Sequence, residues 1–412
     1  MRLSLTKTLS VLLTICFLCG CNVNNKLPLE KEEITTNITN EEAHVFPCIL
    51  INTANAPKEV VDLLIDYNKL YFKMMKTLNF ESFEQLFCDE TDLAINDYAT
   101  KLLVETRKQY GLNIDKGSYE LTINTCNFDK DTYYVDFIEN ENLLFEALPE
   151  IESGVYNVEC SAIIKKVDNA YKFVSLNKIQ DYFVMFTEKE YKNKEDVLSI
   201  FNGYYSDLLN EVDLDTKLKQ EAINNPYVVN KEVKNLYDRN KAQEYAYEHY
   251  LVRNDKYMDY GLLGGNCQNY ASQVLLAGGI PMDIEGGKWS QWKYYGPEVY
   301  IDETKEGRSF SWTTVDYFYD YCVENDGQKG MVTDYDCNIH YAQPGDVIHV
   351  GFDKETRHAT VVSDVYNGII LLNSNTVDLL NFPLDAYAYN TKRLIKILGY
   401  NDWIIRQLMV VY

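Results

Sequence analysis

Histidine is scarce in this chain of 412 residues, which holds only five. They are His44, His249, His340, His349 and His358, and any chemistry that needs an imidazole must draw on one of them. Basic residues are also few: 39 Lys and Arg stand against 62 Asp and Glu, for a net charge of −23. A surface of that sign repels phosphate backbones, which excludes nucleic acid as an expected partner. The acidic residues are spread along the chain, as on a solvated surface. After residue 19 no apolar run is long enough to cross a bilayer as a helix. The cysteines beyond Cys21 show no C-x-x-C spacing, so no zinc site is expected. Signals for nucleotide binding, calcium loops or glycosidase carboxylate pairs are missing, no cofactor is expected, and there are no internal repeats.

The chain starts MRLSLTKTLSVLLTICFLCGCNVNN. Arg2 and Lys7 precede an apolar stretch at 9–19 that is too short to span a membrane, and residues 1–20 are expected to be a secretory leader. Leu18-Cys19-Gly20-Cys21 resembles the bacterial lipoprotein cleavage box. That resemblance implies cleavage before Cys21 and a diacylglycerol on its sulfur; an ordinary signal peptide cut nearby is the alternative. The protein is then expected on the extracytoplasmic face of a bacterial membrane, held by lipid. Beyond Cys21 lie Cys48, Cys88, Cys126, Cys160, Cys267, Cys322 and Cys337, an odd number that leaves at least one thiol unpaired within the chain.

Residues 21–56, which read NVNNKLPLEKEEITTNITNEEAH over 22–44, polar and without period, are expected to form a flexible tether. Residues 57–80 carry Val60, Leu63, Leu64, Tyr67, Leu70 and Tyr71 at helical spacing, and 93–110 repeat the signal. Then the period changes. YELTINTCNF, TYYVDFIEN, VYNVECSAIIKKV and AYKFVSLNKI are rich in β-branched and aromatic residues and are separated by turn signals. Helices followed by an antiparallel sheet predict an α+β domain over 57–187. Its order resembles the cystatin-like and nuclear-transport-factor-like folds, an analogy of fold alone. Residues 188–235 read as a helical connector broken at Asn225-Pro226. Residues 236–388 form the last expected domain and 389–412 a tail. The fold class is α+β throughout.

Residues 263–281, LGGNCQNYASQVLLAGGIP, carry the first chemical signal. Tyr270, Ala271, Val274 and Leu275 define an apolar helical face, and Gly278-Gly279 with Pro281 ends it. The helix therefore starts near Asn266-Cys267. Its first N–H groups lack intrahelical partners and carry partial positive charge. A thiolate there is stabilised, the more so beside a histidine. The backbone N–H groups of Asn266 and Cys267 are candidates to hold an oxyanion. A small buried core cysteine is the structural alternative.

A thiol nucleophile needs a base. His44 falls in the tether and His249 on a scaffold helix, KAQEYAYEHY. His358 opens RHATVVSDVYNGIILLNSNTVD, where Asn367-Gly368 is a two-residue hairpin signal. A hairpin closed there sets His358 opposite Val377 and Asn375 opposite Thr360, so that Asn375 lies diagonally beside His358 on one face. Asn375 is then expected to orient the imidazole, as in a cysteine–histidine–asparagine arrangement; a strand-end turn former is the alternative. His358 is the expected base. His349, in GDVIHVGF, is the second candidate, and His340 precedes a turn.

Further pieces fall in the same order as in a known family. They are Tyr237-Asp238-Arg239 with Ala242, Tyr245 and Ala246, then Asn266-Cys267-Gln268-Asn269-Tyr270-Ala271-Ser272-Gln273, and Ala277-Gly278-Gly279-Ile280-Pro281-Met282. Ser311-Trp312, Pro344-Gly345-Asp346-Val347, Arg357-His358-Ala359-Thr360 and Asn375-Thr376-Val377-Asp378 complete the set. Residues 237–385 thereby resemble the bacterial amidase domain family, a class of papain-like cysteine amidases. The resemblance implies a papain-like domain, with the nucleophile helix packed on an antiparallel sheet, that acts on an amide bond. Three positions depart from the family pattern: Asn266 and Arg357 stand where acidic residues are usual, and Asn375 where histidine is frequent.

Between the nucleophile helix and the next lies KWSQWKYYGPEVY, whose Trp289 and Trp292 are expected to wall a substrate groove; a hydrophobic patch under a long loop is the alternative. The expectation is a lipid-anchored cysteine amidase or peptidase acting on a peptide, with cell-wall peptides as candidate substrate. A catalytically weak binding or surface-assembly lipoprotein is the alternative.

Overall fold

A computed structural model describes residues 46–285, 290–300, 302–325 and 330–401. The expected leader, Cys21, His44 and Trp289 lie outside the described residues. Strand β1 (Cys48–Asn52) lies within the expected tether and pairs in parallel with a later strand. Its Leu50 is buried against the helices, which gives the segment a reason to be ordered. Helix α1 (Lys58–Thr77) buries Val60, Leu64, Tyr67 and Tyr71, the residues whose spacing predicts it. Helix α2 (Glu90–Tyr110) starts on Asp89, whose carboxylate accepts the Thr91 and Asp92 N–H groups, and stops at left-handed Gly111.

Four antiparallel strands follow: β2 (Ile114–Asp129), β3 (Thr132–Phe145), β4 (Ser153–Val167) and β5 (Ala170–Lys178). Helix α3 (Asp181–Thr187) and the 31-residue helix α4 (Lys194–Asn224) lead to strand β6 (Asn235–Leu236) and helix α5 (Arg239–His249). Helix α6 (Cys267–Ala277) is followed by the short α7 (Phe310–Thr313), by α8 (Val315–Asn325) and by strand β7 (Gly330–Cys337). The remaining strands are β8 (Val347–Phe352), β9 (Glu355–Tyr366), β10 (Ile369–Ser374), β11 (Asp378–Pro383) and β12 (Thr391–Asn401).

The fold is α+β, and the twelve strands of the described residues belong to one sheet of order β1-β2-β3-β4-β11-β10-β9-β8-β12-β6, with β5 on β4 and β7 on β12. The N-terminal and C-terminal strands are joined where β4 pairs antiparallel with β11, Asp378 opposite Tyr156 and Leu380 opposite Gly154. Residues 391–401, expected in a tail, instead form β12 between β8 and β7. The alternation in LIKIL explains this, since Leu394 faces one core and Ile395 and Ile397 the other.

The C-terminal strands are therefore covered on both faces. Ile348, Val350, Val362 and Leu394 join the core of α1–α3 and the N-terminal strands. Val347, Ala359, Val361, Ile395 and Ile397 join the core of α5, α6 and α8. No helix among the described residues is long and apolar enough to cross a membrane.

A buried polar clamp holds the start of α5 on this sheet. The Arg239 guanidinium donates to the Asp346 carboxylate at 2.8 Å and to the Pro344 and Ile397 carbonyls. Asp346 is fully buried and also accepts from the Ile397 N–H at 2.9 Å and the Lys396 ammonium at 3.3 Å. The Tyr237 hydroxyl donates to the Gly345 carbonyl at 3.1 Å. Arg239 and Gly345-Asp346, distant in sequence, are thus two halves of one structural device. Removing its carboxylate leaves the buried Lys396 ammonium, still bonded to the Tyr341 carbonyl and Gln343 Oε1, without a counter-charge. Asp346→Ala is expected to lower unfolding free energy by about 3–5 kcal/mol, read by urea denaturation; a loss below about 1 kcal/mol would contradict the clamp.

Candidate active site

Cys267 is the first residue of α6, and Asn266 before it does not cap the helix with its side chain. Gly264 and Gly265 approach it with φ of 111° and 122°, a region open to glycine. The first-turn N–H groups thus stay available. Cys267 is buried, free of any disulfide, and held against strand β9. The Ala359 and Gln268 N–H groups favour the charged form of its sulfur.

His358, also buried, is its neighbour. Burial opposes ionisation of the thiol, but the charge and hydrogen bond of His358, with those two N–H groups, hold it below its ordinary value. For His358 burial again opposes the charge. The Cys267 thiolate, through its charge and hydrogen bond, and then Asp181 and Asp378, push the imidazole up to about 9. Opposite shifts of neighbouring groups are the mark of a thiolate–imidazolium pair.

The other described histidines are occupied elsewhere. The His349 ring is fully buried and shares a hydrogen bond of 3.0 Å between its Nε2 and Gln268 Oε1. Burial, then the charges of Arg393 and His358, lower its pKa to about 3, so it stays neutral and pins α6 to β8. His340 pairs with Asp215 at 2.9 Å, and His249 Nδ1 meets the Val252 carbonyl at 3.0 Å.

Asn375 is not beside His358. The hairpin turns at Asn367-Gly368, and Ile369 to Leu371 pair with Tyr366 to Asp364 as expected. A bulge then sets Leu372 on Val362 and Asn373 on Val361. Continued, that register brings Asn375 opposite Ala359 and onto the face away from His358. Its amide does different work: Oδ1 accepts from Asn266 Nδ2 at 2.7 Å, and Nδ2 donates to the His249 carbonyl at 3.1 Å.

The neighbouring residues brace the same loop. The Thr376 hydroxyl accepts the Asn266 N–H at 2.6 Å, so that N–H is not free for an oxyanion, whereas the Cys267 N–H has no acceptor among the described residues. Thr376 takes φ 132°, a costly conformation for a β-branched residue, about 1–3 kcal/mol. It is held there by its N–H bond to Asp378 at 3.0 Å. Asp378 also takes Arg253 at 2.9 Å and Asn157 at 2.7 Å. Asn266 Oδ1 closes the network by accepting the Tyr260 N–H and Asn269 Nδ2. Thr376, Asp378 and Gln268 were missed as supports by reading the sequence, although each lies inside a motif it singled out.

Trp292 does not wall a groove. Its indole is fully buried, lies tilted against Trp312 with ring centroids 4.8 Å apart, and donates Nε1–H to Ser272 Oγ at 3.1 Å. A large apolar ring with its one donor satisfied is most stable inside. A small polar pocket opens instead behind Asn266, lined in part by Asn269, Asn375, Arg253 and Asp259. No cluster of three His, Cys, Asp or Glu able to hold a metal occurs among the described residues.

Residues 236–398 match the family model described as "Putative amidase domain". The match runs from β6 into β12 and contains Cys267 and His358. It supports a general amidase-like hydrolase for this module. A stretch of 145 residues, 34% of the chain, is 30% identical to a protein of Bacillus subtilis (strain 168) described as "Uncharacterized protein YhbB". It spans 42% of that relative's length. No solved structure was found to match.

Two outcomes test the geometry of this site. Iodoacetamide alkylation of Cys267, followed by mass spectrometry against pH, is expected to reach half its plateau below the free-thiol value of about 8.5. The thiolate–imidazolium pair exists above the depressed thiol pKa and below the raised imidazole pKa near 9, so His358→Ala moves the midpoint upward. Asn375→Ala is expected to leave that midpoint in place while costing about 1–3 kcal/mol in denaturant unfolding, as buried Asn266 loses its acceptor; a midpoint shift would restore Asn375 as the orienting group.

Proposed function

We propose that the amidase module hydrolyses an amide bond by covalent catalysis at Cys267. The observation that carries this is the polarised pair, a thiol lowered at a helix start beside an imidazole raised to about 9. The thiolate attacks the carbonyl carbon and its electron pair forms the C–S bond. The carbonyl oxygen becomes an oxyanion, to which the Cys267 N–H is the offered donor, a contact worth about 3 kcal/mol. Collapse breaks the C–N bond as His358 gives its proton to the leaving amine. Neutral His358 then takes a proton from water, the hydroxide attacks the thioester, and the acid leaves with the thiolate restored.

In chain order and roles this is a papain-like scheme. A peptide amide is the substrate class we infer. The leader, with its Leu18-Cys19-Gly20-Cys21 box, supports export and lipid attachment at Cys21. At that address cell-wall peptides are the amides within reach.

Cys267→Ala and His358→Ala are each expected to cut hydrolysis of such peptides by about 10³-fold or more while leaving the unfolding midpoint near wild type. Release of free amine and carboxylate, followed by chromatography, reads the outcome. Activity retained in Cys267→Ala would overturn the covalent scheme. No turnover of any peptide amide by wild type, with Cys267 still hyper-reactive, would favour the binding alternative.

A further inference from the structure

The loop that delivers Cys267 is held by a chain of hydrogen bonds that starts outside residues 236–398. Its first donor is Asn157 on β4. Asn157 Nδ2 donates to Asp378 Oδ2 at 2.7 Å. Asp378 Oδ1 accepts the Thr376 N–H at 3.0 Å. Thr376 Oγ1 accepts the Asn266 N–H at 2.6 Å, and Cys267 is the next residue. The chain thus runs from a strand of the N-terminal module to the backbone beside the nucleophile.

Asn157 is aimed at this carboxylate by an irregularity of its own strand. In the β3–β4 ladder Glu139 pairs with Val158 and Glu141 with Val155. Tyr156 and Asn157 therefore stand against one residue, Asn140, in a β-bulge, a device that re-aims side chains. Asn157 takes φ 56°, the left-handed region that asparagine enters more readily than most residues. Its N–H donates to Asn140 Oδ1 at 2.8 Å. The turned side chain reaches β11, where Asp378 lies opposite Tyr156. Tyr156 makes a second contact, its ring 5.8 Å from that of Tyr250. The Tyr250 and His249 carbonyls accept from the Asn375 amide, which in turn holds the Asn266 side chain. Both residues of the bulge therefore bear on the same loop.

The balance of donors on Asp378 makes the bond from Asn157 matter. Asp378 is fully buried. Its Oδ1 has two donors, Thr376 and Arg253, the latter at 2.9 Å. Its Oδ2 has Asn157 alone among the described residues. Arg253 also lies 3.5 Å from Asp259. A buried carboxylate oxygen without a donor is costly. Rotation is the available relief, and it takes Oδ1 away from the Thr376 N–H. That bond holds Thr376 at φ 132°, so its loss lets the residue relax and carries off the acceptor of the Asn266 N–H. Asn157 itself is exposed, so its part is that of a donor rather than of packing.

We propose that Asn157 is a positioning residue for the Cys267 nucleophile, acting through Asp378 and Thr376, so that the N-terminal module completes the nucleophile loop. The proposal rests on the cysteine mechanism above. Asn157 touches neither the sulfur nor the imidazole and moves no proton. It fixes where the first turn of α6 begins, and hence how the sulfur is presented to His358. Asn375 holds only the side chain of Asn266, whereas this chain holds its backbone.

The test uses the full chain. Asn157→Gly removes the amide and keeps the left-handed backbone. Asn157→Asp keeps size and conformation but sets a second carboxylate against Asp378. Combined with Asp378→Asn, it makes donor and acceptor trade places at the net charge of wild type. Asn157→Gly is expected to lower kcat for a peptide amide by about tenfold and Asn157→Asp by about 10²-fold, with KM within about twofold. The pH midpoint of iodoacetamide alkylation at Cys267 rises in both by about half a pH unit or more. The double variant recovers part of both losses. Wild-type values of kcat or of the midpoint in Asn157→Gly would overturn the assignment and leave the cysteine mechanism standing. A double variant no better than Asn157→Asp would do the same. A wild type without a reactive thiol would remove both. If the variants fail to fold, ¹⁵N–¹H spectra of wild type decide the matter. A slowly exchanging Asn157 side-chain amide is expected, and one that exchanges as fast as a free amide overturns the proposal.

Discussion

The site depends on one electrostatic balance. Cys267 and His358 are both buried, and burial taken alone would leave each neutral. Each becomes chargeable only because the other stands next to it, with the N–H groups of Gln268 and Ala359 adding to the thiolate side. A low local dielectric penalises a lone charge and strengthens a close pair. The same burial that would silence either group alone makes the pair responsive.

Much of the surrounding structure is needed to keep those two groups in register. The Arg239–Asp346–Lys396 clamp fixes α5 to the start of β8 and the middle of β12. His349 and Gln268 pin α6 to β8. Asn375, strained Thr376 and Asp378 hold the loop that delivers Asn266 and Cys267. Each of these contacts joins residues far apart in sequence, so the site is a property of the folded sheet rather than of any one motif.

The continuity of that sheet changes what the N-terminal module can be. It is not only attached by a connector: β4 pairs with β11, α3 is ion-paired to the β8–β9 turn, and Asn157 bonds the same Asp378 that braces the nucleophile loop. A perturbation in the N-terminal strands therefore has a short covalent and hydrogen-bonded route to the Cys267 loop.

The sequence by itself determined what depends on neighbours within a few residues. Helical spacing located α1 and α2, runs rich in β-branched and aromatic residues located β2 to β5, Gly264-Gly265 and Gly278-Gly279 bounded α6, and Asn367-Gly368 located the hairpin turn. The candidate nucleophile and base were legible because a thiol at a helix start and a histidine on a strand carry local signals. Only the tertiary structure decided the rest. One bulge in the β9–β10 hairpin turned Asn375 away from His358, and no residue identity announces a bulge. Trp292 was drawn inward because Trp312 and Ser272, from two helices, offered it a ring contact and an acceptor. Residues 391–401 became a central strand because apolar side chains on both sides found a core on both faces. Which polar groups meet in a buried centre is set by long-range packing, and the energy that selects the partners exists only once water has been excluded from between them.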